Sequence, residues 1–270
     1  MSRSRVSALF AVLSMAVQGS AMAASPLKPT GPWVLDYDEN QCLASRTYGT
    51  DKDPLTLAIR PAPNGDNYEL ILGRARHGPH YAEELDGSVD FGSGPMKAWL
   101  LHYGVTGKKM SGYQFRISAS DMARSRAATW VALKSGDGSG ATFALTEMPA
   151  LLKGMQDCTA DLERYWNMPG SDNISVSAKG DVRTVFRADD YPSEALSRRQ
   201  EGRVQFLLLI NEQGKVAGCN VVQASGIPAL DGMGCQVIME RAKFTPALDK
   251  QGKPIRSAVV TPPVVWRMGW

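Results

Sequence analysis

The residues in this chain whose types could do chemistry are three histidines, four cysteines and a few acidic turns. The densest cluster is Arg74-Ala75-Arg76-His77-Gly78-Pro79-His80. Two histidines three residues apart carry donors for a metal ion. Gly78-Pro79 makes the stretch a turn, however, and no third ligand lies near it in sequence. We read it as a solvated loop. Asp86-Gly87-Ser88 and Leu230-Asp231-Gly232-Met233-Gly234 have the outline of catalytic-aspartate turns, and we read both as structural. No G-x-S-x-G, H-E-x-x-H or phosphate-loop motif occurs. A Ser/His/Asp triad is assembled in space and leaves no fixed spacing. A hydrolytic site in the N-terminal domain therefore stays as an alternative, to be recognised by a pocket that holds His77 or His102 against an acid. We assign no catalytic residue, no metal ligand and no cofactor.

The start of the chain sets the expected compartment. Arg3 and Arg5 precede an apolar run from Val6 to Val17, and Ala21-Met22-Ala23 follows. This is the basic, apolar and small-residue order of a secretory signal peptide, with cleavage expected after Ala23. The run is about 12 residues long, whereas a bilayer span needs about 20. An uncleaved anchor is the minority reading, and we expect no stable membrane anchor after cleavage. Losing Arg3 and Arg5 leaves 28 basic residues of the original 30 against 27 acidic ones. A nearly neutral chain offers no electrostatic case for nucleic acid or anionic lipid. With 43% hydrophobic and 21% charged residues the composition is that of a folded globular protein.

Cys42, Cys158, Cys219 and Cys235 are an even number in an exported chain, which favours disulfides over metal or free thiols. No C-x-x-C is present. Of three connectivities we expect Cys42–Cys158 and Cys219–Cys235. The second would join a strand to the helix packed on it. The first would tie an N-terminal segment to a helix at the other end of the first domain.

That first domain, residues 24–166, reads as β-rich and closed by a helix, a sandwich or a barrel. Strand patterns run over 55–60, 68–72, 98–103, 113–117, 129–133 and 141–145. A short helix over 120–128 has Ser120 as its candidate N-cap, and Leu151, Met155, Cys158 and Leu162 recur at helical spacing over 147–166. Residues 167–189, with Pro169-Gly170-Ser171, read as a linker that could hold some strand.

Residues 190–270 carry the clearest pattern. Val204, Phe206, Leu208 and Ile210 alternate along one strand, with its other face partly buried. Asn211-Glu212-Gln213-Gly214-Lys215 signals a turn into a second strand, 216–223. Pro228 fits the first turn of a helix. Leu230, Gly234, Val237 and Ile238 give that helix an apolar stripe. A last strand from Arg256 to Met268 is interrupted by Pro262-Pro263, which cannot donate to a ladder and so bends it or puts it at an edge. The fold class is α+β: a β-rich N-terminal domain, then one helix on a three-stranded antiparallel sheet.

This order of elements, from Tyr191-Pro192-Ser193-Glu194-Ala195 through Ala224-Ser225-Gly226, Leu230-Asp231 and Lys243-Phe244-Thr245-Pro246-Ala247 to Val264-Val265-Trp266-Arg267-Met268, resembles the C-terminal domain of the TonB family. The resemblance covers about 190–270 only. It matches Leu230-Asp231 to the family's helix start, where an acid near the N-terminus favours the helix dipole. It implies a periplasmic, non-catalytic module of the cell envelope that binds protein. The partner, an outer-membrane receptor in that family, offers an extended segment that pairs with a sheet edge. The matching edge here is the last strand, with Ser257, Val259, Thr261, Val264 and Trp266 as the expected partner-binding residues. A link to TonB-dependent transport across the outer membrane is the stronger form of this reading. A globular domain stands where a transducer has its Pro-rich rod, which argues against force transmission. Besides the hydrolase, a structural or assembly factor whose two domains bind each other is the other alternative; a large apolar interdomain interface would favour it.

Overall fold

The computed structural model describes residues 25–269 except 63, 64, 66, 80, 81, 106 and 107. The expected signal peptide and His80 lie outside the described residues. The architecture is α+β.

The first half is one antiparallel sheet of nine strands: β1 (Val34–Asp38), β2 (Gln41–Thr50), β3 (Asp53–Pro61), β4 (Asn67–Arg74), β5 (Glu83–Asp90), β6 (Met96–Gly104), β7 (Ser111–Ser118), β8 (Trp130–Ser135) and β9 (Gly140–Ala144). Their order is β1-β2-β3-β4-β7-β6-β5-β8-β9. The chain entering from the N-terminus closes it. Leu27 exchanges backbone hydrogen bonds with Thr142 and Ala144 of β9, and Thr30 N–H donates to Thr47 O of β2. Eight strands from β2 to β9 therefore form a barrel whose seam is sealed by residues 27–30. Inward-facing Leu57, Leu72, Leu100, Phe115, Leu133 and Phe143 are fully buried inside it.

Two strands carry weak sequence signals. Strand β2 turns Cys42, Ala44, Arg46 and Tyr48 inward, a mix in which only alternation marks a strand. Arg46 is buried because Gly31 O and Thr146 Oγ1 accept its N–H groups at 2.7 and 2.6 Å. Strand β5 contains Asp86-Gly87-Ser88, which composition assigns to a turn. A Cβ on Gly87 would come within 2.8 Å of Leu100 Cβ and 3.1 Å of Phe115, so the glycine makes room for packed neighbours.

After β7 a short helix, α1 (Ala119–Met122), is capped by Ser118, whose Oγ accepts from Asp121 N–H. The expected cap, Ser120, is inside the helix. Helix α2 (Met148–Tyr165) lays Leu151, Leu152 and Met155 against the barrel core. Cys158 on α2 is joined to Cys42 on β2, with 6.1 Å between their Cα atoms.

The second half begins with β10 (Ile174–Val176) and a short helix, α3 (Ser193–Ser197). Then come β11 (Gly202–Ile210), β12 (Val216–Gln223), α4 (Pro228–Arg241), β13 (Ala247–Asp249), β14 (Pro254–Ile255), β15 (Ser257–Val260) and β16 (Val264–Trp266). The main sheet has β11 at its centre. Strand β12 lies on one side, and β15 and β16 lie end to end on the other. A second sheet of order β10-β13-β14 flanks it. The stretch expected as a linker is ordered within this unit, because β10 pairs with β13 and Val182 is buried in the core beneath α4.

Helix α4 packs on the sheet through Leu230, Gly234, Val237 and Ile238. Gly234 is the point of closest approach: a Cβ there would meet the Phe206 ring at 2.3 Å. Cys219 on β12 and Cys235 on α4 are bonded, with 5.6 Å between Cα atoms. The β11–β12 turn holds Gly214 at φ +74°, where Phe244 O would lie 1.9 Å from any Cβ. Only glycine fits this turn.

Strand β11 is buried on both faces. Val204, Phe206, Leu208 and Ile210 point at α4. Its other face meets the first half: Leu207 and Ala258, with Leu209, Val222 and Val260 alongside, pack on Leu162, Trp166 and Met168 at the end of α2. Beside this small apolar patch lies a polar one. Arg60 Nε donates to Glu69 Oε2 at 2.7 Å, Gln114 Nε2 and Arg116 Nη2 donate to Glu69 Oε1, and Arg60 Nη2 reaches Gln205 Oε1 of β11 at 3.4 Å. Burial alone would raise the Glu69 pKa, but Arg60 and Arg116 outweigh it and hold the carboxyl below its ordinary value.

Candidate functional site

The last strand is broken where sequence places the break. Prolines 262 and 263 cannot donate to a ladder. Between β15 and β16, Thr261 takes over: its N–H donates to Phe206 O at 2.9 Å, and its Oγ1 accepts from Phe206 N–H at 3.2 Å. Gln205 Nε2 donates to Thr261 O at 2.9 Å. The pairing on β11 resumes one residue out of step after the break, with Ser257↔Ile210 to Val260↔Leu207 before it and Val264↔Val204 to Trp266↔Gly202 after it, so that Pro262 and Pro263 together stand opposite Gln205. Among the described residues, no strand pairs with β15 or β16 on the side away from β11.

The residues expected to bind a partner face the core. Ser257, Thr261, Val264 and Trp266 are all buried, and Val259 packs on the core beneath α4. They hold the strand in place and offer a partner little side-chain surface. What this rim presents is its backbone edge and Val265, whose side chain is 42% exposed.

Two concavities meet at β16. On the α4 side, a groove of about 700 Å³ is lined by Phe186, Tyr191, Leu196, Val264, Trp266 and Met268, with Arg183, Arg187 and Arg267 around it. Trp266 is clamped edge-on by Phe186 at 5.4 Å and Tyr191 at 5.5 Å. Its indole N–H is buried and has no acceptor among the described residues. Leu196 is 44% exposed. On the barrel side, a cleft of about 400 Å³ lies between the two halves, lined by His77, Lys108, Lys109, Glu201, Arg203 and Val265. Arg203 lies 4.2 Å from the Tyr103 ring centroid. Both its terminal nitrogens are buried without an acceptor among the described residues. Burial pushes its pKa down to about 10, so it keeps its charge at neutral pH in a desolvated site.

The remaining chemical candidates resolve locally. Asp231 Oδ1 accepts from Ser225 N–H at 2.9 Å, ahead of α4 and Pro228; this is a helix-start role. Asp86 lies on β5 among barrel strands. His77 lines the cleft. His102 stacks on Tyr113 at 4.0 Å, at the barrel end away from α2, with Glu83 Oε2 3.8 Å from its Nδ1. Tyr113 Oη lies 3.2 Å from Asp137 Oδ2 and 3.0 Å from Ser139 Oγ. Both His102 nitrogens are buried without a hydrogen-bond partner among the described residues. Burial holds its pKa below the ordinary value against the pull of Asp137 and Glu83. A nucleophile–base pair needs a hydrogen bond that the ring does not make here. Among the described residues, no group of histidines, cysteines and acids could hold a metal ion. No helix among them is long and apolar enough to cross a membrane.

The C-terminal unit is a sheet with one helix on one face and a broken last strand that is paired on one side only among the described residues. The family is specific: residues 187–268 match the Gram-negative bacterial TonB protein C-terminal family. That family is a non-catalytic, periplasmic protein-interaction domain whose partners include outer-membrane receptors. The match leaves the barrel uncovered. No curated protein and no solved structure matches the chain.

Proposed function

We propose that this is a periplasmic protein, exported by a cleaved signal peptide, that binds an envelope partner by adding the partner's extended segment to the outer edge of β15 and β16. One observation carries the reading: the last strand has a neighbour on one side only, and an aromatic groove backs its unpaired side. Added main-chain hydrogen bonds would supply affinity, and the groove would select side chains. An outer-membrane receptor is the partner class that the family favours. The barrel sits directly against the module's second sheet face, so we read the chain as a binding protein with a fixed barrel partner rather than as a force-transmitting rod.

In-cell photocrosslinking tests this. A benzophenone amino acid at Val265 should yield a discrete crosslinked envelope polypeptide. The same probe at Tyr37, which is exposed on β1, should not. Equal patterns at the two sites, or none at Val265, contradict strand addition. A second reading, a scaffold whose two halves serve chiefly to bind each other, draws on the buried Arg60–Glu69–Gln205 contact.

A further inference from the structure

We propose that the barrel completes the docking edge, so that the segment received by β16 alternates apolar and acidic side chains. This rests on the strand-addition reading and names the chemistry of the partner.

Successive side chains of an added strand point to opposite faces of the sheet. Strand β16 shows which face is which. Val264 and Trp266 point to the α4 side, and Val265 between them lines the cleft against the barrel. One set of partner side chains would therefore fall into the groove of Phe186, Tyr191, Leu196 and Trp266. The alternate set would enter the cleft beside Lys108, Lys109 and Arg203. The first wall is aromatic and aliphatic where the side chains would enter, with Arg183, Arg187 and Arg267 around it and Arg183 held by Asp181 at 3.0 Å. The second carries three cations, one of them desolvated and without an acceptor at its terminal nitrogens, against one acid, Glu201, among the described lining residues. A carboxylate entering that cleft meets two lysines and lies beside the buried charge of Arg203, which has the Tyr103 ring but no hydrogen-bond acceptor at its terminal nitrogens among the described residues. An ammonium there adds like charge beside the desolvated guanidinium, and an apolar group adds nothing to offset it. Lys108 and Lys109 belong to the barrel, on the β6–β7 connection. The barrel would thus set which partners the module accepts.

Two end-blocked heptapeptides test this: one alternating Glu and Val, the other alternating Lys and Val. Binding to the purified protein is measured by calorimetry, with NMR shifts of Val264, Val265 and Trp266 locating the contact. The Glu peptide should bind about tenfold more tightly, the scale of two or three partly exposed ion pairs. The difference should shrink as salt rises. Lys108→Glu with Lys109→Glu should abolish or reverse the preference. Both lysines are exposed, and the circular dichroism spectrum checks that the fold survives. If both peptides shift β16 signals with equal affinity, edge pairing stands and the charge inference is overturned. If neither peptide moves those signals, both are overturned.

Discussion

The two halves of this molecule are both antiparallel sheets with a helix packed against them, and they differ in how far they close their sheet edges. The barrel spends four residues, Leu27 to Thr30, on joining β9 to β2, and leaves the five-residue β1, which lies beside α2, with β2 as its one strand neighbour among the described residues. The C-terminal sheet leaves β12 on one side and β15–β16 on the other with a single neighbour each. Closure removes the backbone donors and acceptors that another chain could pair with, whereas an open edge presents them. The half that keeps its edge is the half that matches a protein-interaction family. On the function proposed above, the difference teaches that binding would follow the unclosed strand, with the closed half as a wall beside it.

The comparison can be broken at its covalent ties first. Cys42–Cys158 spans 116 residues in sequence and holds α2 to the barrel. Replacing both cysteines by alanine should cost about 4 to 5 kcal/mol by chain entropy, against about 3 for the shorter Cys219–Cys235 loop. Denaturant melts of the two double variants check the order. An equal loss, or a larger one from the short loop, would mean that the barrel does not depend on its helix as described.

The barrel's polar cluster beside the contact between the halves comes next. Glu69→Gln leaves Arg60 and Arg116 without their shared carboxylate, and breaking a buried pair costs about 3 kcal/mol or more. Because the folded pKa of Glu69 lies below its unfolded value, its contribution is complete above the unfolded pKa. It is lost as pH falls through the folded pKa. The variant should therefore differ most from the parent at neutral pH and converge with it in acid. A stability gap independent of pH would contradict the assignment.

The smallest effect is local. Gly234→Ala forces a methyl into the Phe206 ring, which should cost about 1 to 3 kcal/mol by overpacking. Ala at Gly232, where nothing lies within 4 Å, should be neutral or slightly stabilising, since alanine is the better helix former. A thermal melt of the pair separates packing from helix propensity.

Much of the C-terminal unit is legible in sequence because its signals are local. Alternation at Val204, Phe206, Leu208 and Ile210, the glycine turn at 214, and the proline break at 262–263 each follow from one short stretch of backbone chemistry. The relation between the halves is not local. Gln205 lies on the strand face that meets the barrel, a face that the sequence marks as partly buried without naming what covers it. Only the fold shows it meeting Arg60 across 145 residues of chain. Strand β5 stayed hidden because Gly87 reports a packing need of Leu100 and Phe115 that sequence spacing does not carry. Expecting Ser257, Val259, Thr261, Val264 and Trp266 to meet a partner followed from the strand's edge position. Their side chains point inward because the alternation of β15, reset by one residue at Pro262-Pro263, continues to build the core in β16.

Native-state hydrogen exchange reads the two edges side by side in one sample. The account predicts slow exchange for the seam amides of Leu27, Thr30 and Ala144, and fast exchange for the outward amides of β15 and β16 that are not bonded to β11. Slow exchange along both sides of Ser257–Val260 and Val264–Trp266, matching the seam, would show that the last strand is already covered and would contradict strand addition at its edge.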